Sequence, residues 1–229
     1  MFFKEIKIPK TDALDLSQFK EMDYYAVEQY ALPIELMMEN AGLQLANLIA
    51  FYCKDQKAKI LIGVGNGNNG GGGLVAARRL AAWGYDVYLD LFTEINKELP
   101  LKQLERALVF GVKKETILKP DVWVDAYLGF SQKLPLGQNL KDVLSKANAC
   151  DCQRVSLDIP TGFLGDIEQP YFHAHKVLSL AASKKILYNL PQTTELYIAD
   201  LGIPKSVYEK FNAEIPSFQR DNILKIKRR

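Results

Sequence analysis

Three stretches of this sequence carry side chains suited to chemistry. The first is Gly65-Asn66-Gly67-Asn68-Asn69-Gly70-Gly71-Gly72-Gly73, which holds six of the chain's 15 glycines. Such a tract lets backbone N–H groups approach a ligand closely. A helix expected to begin near Leu74 would aim its positive end at the same place, so phosphate or another anion is the natural guest. The second stretch puts Asp125 at the end of the apolar run Val122-Trp123-Val124. The third is Asp158-Ile159-Pro160-Thr161-Gly162, after Arg154-Val155-Ser156-Leu157. A carboxylate at the end of a buried strand is costly unless it is paired, hydrogen-bonded or bound to a cation. One such aspartate could merely cap a turn. Two, on successive strands beside a glycine tract, point to a site. Asn69, Asp125 and Thr161 supply only oxygen donors, which suits a hard monovalent or divalent cation rather than zinc.

Other constellations are thinner. Gly65-Asn66-Gly67-Asn68-Asn69-Gly70 also fits the spacing G-x-G-x-x-G, with Asp90 near where a ribose-binding acid would sit. That spacing leaves a nicotinamide-dependent oxidoreductase as the competing enzyme class. No Lys-Ser or Lys-Thr follows the tract, so it is not a P-loop. His173 and His175 would share one face of a strand, but no acid or cysteine lies near to complete a metal set. They read as surface or packing residues. Cys53, Cys150 and Cys152 form neither a disulfide framework nor a zinc pair, which fits a reducing compartment. The basic Lys225-Ile226-Lys227-Arg228-Arg229 reads as a solvated tail.

The elements that must position these groups alternate. Apolar positions from Ile34 to Tyr52 recur at helical spacing after Pro33, and Phe19, Met22, Ala26 and Gln29 suggest a shorter helix before them. Lys59 to Gly65 reads as a buried parallel strand. It is followed by the tract, a helix from about Leu74 stopped by Gly84, and a strand over 86–92. Helices are expected over 101–110 and 138–147, with a last one between Pro204 and Phe211. Strands are expected over 122–126, 154–158, 176–180 and 196–200. The pattern specifies an α/β fold: a Rossmann-like three-layer αβα sandwich with a mainly parallel sheet. Ligands in such folds bind outside the carboxyl ends of the strands, where all three stretches fall. One domain over 1–229 accounts for the chain, with N-terminal helices over about 14–53, a core over about 58–213 and the tail over 214–229.

With 29 basic and 27 acidic residues in 229, charge gives no reason to expect a nucleic-acid partner. A 48% hydrophobic composition excludes wholesale disorder, and no apolar run approaches the length of a membrane helix. The start, Met1-Phe2-Phe3-Lys4-Glu5, lacks signal-peptide features, so a cytoplasmic setting is expected.

The chain resembles the NAD(P)H-hydrate epimerase family, the fold of the YjeF N-terminal domain. Met37-Met38-Glu39-Asn40-Ala41-Gly42 is similar to that family's N-terminal helix signature. Gly67 to Gly73, running into Leu74-Val75-Ala76-Ala77-Arg78, resembles its Gly-Asn-Asn-Gly-Gly-Asp-Gly signature. Val124-Asp125-Ala126 with Gly129-Phe130-Ser131, then Asp158-Ile159-Pro160-Thr161-Gly162, then Gly202-Ile203-Pro204, follow in the family's order. The resemblance implies an isomerase of metabolite repair that interconverts the R and S epimers of hydrated NADH or NADPH. A separate dehydratase would act on the product, and the chain would form a homodimer through its N-terminal helices. It implies a potassium ion on Asn69, Asp125 and Thr161. It also implies dinucleotide contacts from Asn68, Asn69, Gly70, Gly71 and Gly72, and from Gly129, Phe130, Ser131, Gln132, Lys133, Leu134 and Pro135. Asp158 would touch the hydrated nicotinamide. Its carboxyl could protonate the departing hydroxyl, later deprotonate water, and stabilise an iminium intermediate. Two departures stand out. The family's loop aspartate is Gly72 here, and a serine of its last motif is Thr161. The first leaves open a catalytically degenerate binding or dimerising module of the same fold.

Overall fold

The computed structural model describes residues 3–166, 168–218 and 221–228. Met1, Phe2 and Arg229, which belong to the start and tail readings above, lie outside the described residues.

Strand β2 (Lys59–Val64) is apolar at every position after the first, and all five of those residues are buried. A strand hidden on both faces needs parallel neighbours and helices above and below. It has them: β3 (Asp86–Leu91) on one side and β4 (Val122–Ala126) on the other, both parallel. The sheet continues through β5 (Gln153–Leu157), β6 (Lys176–Leu180) and β7 (Glu195–Ala199), all parallel. Its eight strands run β1-β8-β7-β6-β5-β4-β2-β3, where β1 is Glu5–Ile6 and β8 is Ile223–Ile226. Helices α2 (Ile34–Tyr52), α3 (Asn68–Ala82) and α4 (Glu98–Val109) cover one face, packing on Ile60, Ile62 and Val64. Helix α5 (Gln138–Ala149) covers the other through Leu140 and Leu144, against Leu61 and Trp123. Helices α1 (Leu16–Tyr30) and α6 (Lys205–Lys210) meet beside the carboxyl ends of the middle strands. The expected three-layer αβα sandwich is therefore present.

Three expectations are corrected. The C-terminal segment is not a solvated tail. Ile223, Leu224 and Ile226 are buried, β8 pairs antiparallel with β7, and Arg228 donates to the carbonyls of Leu190, Pro191 and Thr194. Three apolar residues in Ile-Leu-Lys-Ile are enough to seat β8 between β7 and β1 despite the flanking charges. His173 and His175 precede β6 rather than lying in a strand. Tyr171 packs on the first ring, which stays exposed, and Arg154 bonds both nitrogens of the second, so the two are a surface and a packing residue.

The third correction matters most. The glycine tract is not a loop running to Leu74, because α3 begins at Asn68 and includes Gly70, Gly71, Gly72 and Gly73. A Cβ on Gly70 would sit 1.9 Å from the Gly65 carbonyl oxygen. On Gly71 it would meet the Met38 sulfur at 2.6 Å, and on Gly73 the Ala126 Cβ at 2.6 Å. The glycines let the first turns of α3 lie directly on β2, β4 and α2. Each costs about 0.5–1 kcal/mol of helix propensity relative to alanine, offset by that close packing.

Candidate active site

The chain leaves β2 for β3 on one side, then crosses to β4 on the other. The crevice at this switch point, outside the carboxyl ends of β2, β4 and β5, is where such sheets bind ligands. A cavity of about 510 Å³ opens there. Of the expected ligand-binding residues, Asn68, Asn69, Gly72, Gly129, Phe130, Ser131, Gln132 and Asp158 line it. Gly70 and Gly71 are buried in helix packing instead, and Lys133, Leu134 and Pro135 follow on the same loop without reaching the lining.

Asp125 and Thr161 lie under the cavity floor, both fully buried. Asp125 Oδ1 accepts from the Thr161 hydroxyl at 2.6 Å and from Tyr127 N–H at 3.3 Å. Its Oδ2 accepts from Thr161 N–H at 2.8 Å and the Ser156 hydroxyl at 2.9 Å. This knot ties the end of β4 to the turn after β5. No cationic side chain pairs with it among the described residues, and burial pushes its carboxyl up to about 6, against those four donors. Asn69 is held by its amide nitrogen, which donates to the carbonyls of Leu128 at 2.7 Å and Leu157 at 3.3 Å. Its Oδ1 accepts no hydrogen bond among the described residues. Thr161 Oγ1 accepts only from Leu128 N–H, which leaves it one lone pair. A buried carboxylate without a counter-charge, an idle amide oxygen and a spare hydroxyl lone pair fit a hard monovalent cation. To ligate it directly, Asp125 would release one donor, and the long Tyr127 contact is the weakest.

Asp158 sits one residue beyond β5 with φ +70°, a left-handed conformation that costs a non-glycine residue on the order of 1 kcal/mol or more. The turn aims its carboxyl back into the cavity. Phe130 N–H donates to Oδ2 at 3.0 Å. Lys184 Nζ stands 2.8 Å from Oδ1, with Lys184 wholly buried and Asp158 nearly so. Lys184 Nζ also stands 3.0 Å from Leu180 O, 3.2 Å from Ser179 Oγ and 3.4 Å from Ala182 O, so Asp158 Oδ1 is its nearest acceptor. The ammonium also lies 3.7 Å from the centre of the Phe19 ring, and that ring packs edge-on against Phe130. Helix α1 thereby closes one wall of the cavity, and Asp23, one turn after Phe19, lines it.

Sequence reading missed Asp23 and Lys184. Asp23 follows Phe19 at i+4, so the apolar stripe of α1 announces its face but not its role. Lys184 lies in Ser183-Lys184-Lys185, where nothing local separates a buried lysine from an exposed one. Asp90, the acid of the competing oxidoreductase reading, is taken up by the hydroxyls of Tyr127 and Thr116. Its carboxylate is not available to a ribose.

The sequence profile of the family described as YjeF-related protein N-terminus matches residues 34–186. The chain belongs to this family. A relative from Anopheles darlingi, named NAD(P)H-hydrate epimerase, is 31% identical over 215 residues, covering 89% of this chain and 93% of its own. One of the same name from Rhodopirellula baltica is 32% identical, covering 85% and 86%. The crystal structure of the yeast protein ynu0 superposes with a TM-score of 0.84 at 25% identity, over 93% of this chain and 99% of that one. The family's matched span contains α2, the glycine tract, Asp125, Asp158, Thr161 and Lys184, so it covers the whole cavity floor. Asp23 lies outside it.

Burial has a consequence for pH. Asp23 is pushed up to about 6 by desolvation and then by the charge of Asp158, against the pull of Lys184; Asp125 stands at a similar value. Both values exceed the 3.8 of the unfolded chain, so between about 4 and 6 the folded state binds more protons. In potassium-free buffer the melting temperature is therefore expected to rise by a few degrees as pH falls from 7.5 to about 5. Below about 4.5 it should turn down, because Glu39, Asp86 and Glu195 are held below their usual range by Arg79, Lys113 and Lys225. Calorimetry across this range, in a buffer of low ionisation enthalpy, checks the sign.

Proposed function

We propose that this chain is an NAD(P)H-hydrate epimerase. The observation that carries the reading is the meeting, in one cavity, of the helix N-terminus at Asn68, the loop from Gly129 to Gln132, and the buried carboxylate of Asp158. The first two suit the pyrophosphate and sugars of a dinucleotide through backbone N–H groups. The anion of Asp158 suits a ring that turns cationic when its hydroxyl leaves. Inversion breaks and remakes one C–O bond: the ring nitrogen lone pair expels the hydroxyl, and water returns to the other face of the iminium. The positions of Asn69, Asp125 and Thr161 support a potassium ion there, whose charge would balance Asp125 and favour an anionic substrate. Exposed Tyr24, Tyr30 and Leu36 on α1 and α2 support the homodimer reading.

Lys184 changes the part given to Asp158. Protonating Asp158 would leave a buried ammonium without its counter-ion, which costs several kcal/mol. Asp158 is better suited to be a fixed anion than a proton carrier.

The test is a chiral assay of purified hydrated NADH. The protein is expected to speed equilibration of R and S forms well beyond the spontaneous rate; no acceleration would leave a binding module. A Gly72→Asp variant belongs beside it. A Cβ at Gly72 would lie 3.1 Å from Leu157 Cδ2, the movable end of a side chain, and 3.8 Å from Ala41 Cβ, so the residue fits with a small shift. Its charge would sit in the first turns of α3, where an anion is favourable. Stability should change by less than about 1 kcal/mol. KM should fall about tenfold or more if the new carboxylate bonds a ribose hydroxyl, at about 1.5–3 kcal/mol for a charged hydrogen bond.

A further inference from the structure

We propose that Asp23 is the catalytic proton carrier of this site, handing a proton to the departing hydroxyl and taking one back from the returning water, with the Lys184–Asp158 pair as the fixed charge beside it. The assignment rests on the epimerase reading.

The geometry narrows the choice. The charged side chains that line the cavity are Asp23 on α1, Asp158 after β5 and Lys97 before α4, with Lys184, after β6, behind Asp158. Lys184 is wholly buried, with Asp158 Oδ1 and three other oxygens around its ammonium. Asp158 is its counter-ion. The Tyr127 hydroxyl is buried and donates to Asp90. Asp23 differs from all of these. Only burial and the charges of Asp158 and Lys184 act on its carboxyl, with no hydrogen bond or ion pair to protein among the described residues. It can gain or lose a proton without stranding a partner. Its carboxyl, pushed up to about 6, is present in both forms near neutrality, as a group that must act as acid and then as base requires.

The step balances without any co-reactant. The Asp23 carboxylic acid protonates the hydroxyl on the hydrated ring carbon, and the ring nitrogen lone pair forms the C=N⁺ bond as water leaves. Asp23 is now a carboxylate, and the iminium charge is balanced by it and by Asp158. Water adds to the other face, its proton is passed back to Asp23 through solvent water in the cavity, and the electron pair returns to nitrogen. Nothing is oxidised or reduced.

The experiment compares wild type, Asp23→Asn and Asp23→Glu on purified R-hydrate between pH 5 and 9, with the spontaneous rate subtracted at each pH and NADH-induced thermal shift as the binding readout. Asp23→Asn is expected to lower kcat by about 10²–10³ with KM and the NADH shift little changed. The wild-type fall in kcat as pH rises through about 6 should be absent in it. Asp23→Glu is expected to keep that fall, displaced in pH, and part of the rate. An active wild type with an equally active Asp23→Asn variant overturns the assignment and leaves the epimerase reading standing. An inactive wild type overturns both. If Asp23→Asn folds poorly, Asp23→Glu decides: a retained pH limb supports the assignment, and a lost one overturns it.

Discussion

Replacing Lys184 with methionine is expected to lower the stability of the fold by about 3–5 kcal/mol, the usual cost of stranding one member of a buried ion pair. For a chain of this size that is a drop of roughly 6–20 °C in melting temperature. The cause is not the lost Coulomb attraction alone. Methionine fills much of the lysine's volume and can still pack on Phe19, so the apolar contact largely survives. What remains is Asp158, 1% exposed, in a left-handed backbone, with Phe130 N–H as its one aligned donor. Four acceptors that had faced the ammonium, Asp158 Oδ1, Ser179 Oγ, Leu180 O and Ala182 O, lose it together. The double variant Lys184→Met/Asp158→Asn removes the stranded charge and should recover more than half of the loss, because an apolar replacement for a buried pair is often neutral. Urea unfolding of wild type, Lys184→Met, Asp158→Asn and the double variant, with m-values held constant, measures the coupling. Equal destabilisation in the single and double variants would show that Lys184 acts by packing rather than by charge.

That pair also marks where the sequence stops being legible. Strands β2, β4 and β5 are readable because a strand buried on both faces must be an unbroken apolar run, and the aspartates at their ends stand out against it. Strand order alone brings the ends that carry Asn69, Asp125, Asp158 and Thr161 to one side of the sheet. The glycine tract misleads, because four consecutive glycines locally favour a loop. Their close packing as a helix is against Met38 and Ala126, far away in sequence, and against the carbonyl of Gly65 at the tract's own start. Ile223 to Ile226 is four residues among charges and acquires its meaning only from the open edge of β7. Lys184 is the extreme case: its burial depends on Phe19 from α1 and Asp158 from β5 arriving at the same point, which no local window records.

Exchanging potassium for choline at constant ionic strength is expected to lower the melting temperature by several degrees at pH 7.5, and Asp125→Asn should abolish the difference. A site bound at about a hundred times its dissociation constant adds about 2.7 kcal/mol, roughly 5–10 °C here. Protonation of Asp125 removes the charge the cation needs, so the potassium effect should shrink as pH falls through about 6, the value to which burial pushes that carboxyl. The asparagine variant is not a silent control. Thr161 N–H and Tyr127 N–H approach opposite oxygens of Asp125, so an amide must turn its own N–H₂ toward one of them whichever way it is flipped. The two hydroxyls can rotate to adapt, but a backbone N–H cannot. An unsatisfied buried donor costs about 1–3 kcal/mol, so Asp125→Asn should melt lower than wild type even in choline. The separable signature is therefore the difference between salts within each protein, not the absolute midpoint. A variant that is destabilised yet still responds to potassium would place the ion away from Asp125. A wild type indifferent to potassium would leave the knot of Asp125, Thr161 and Ser156 as a purely structural tie between β4 and β5.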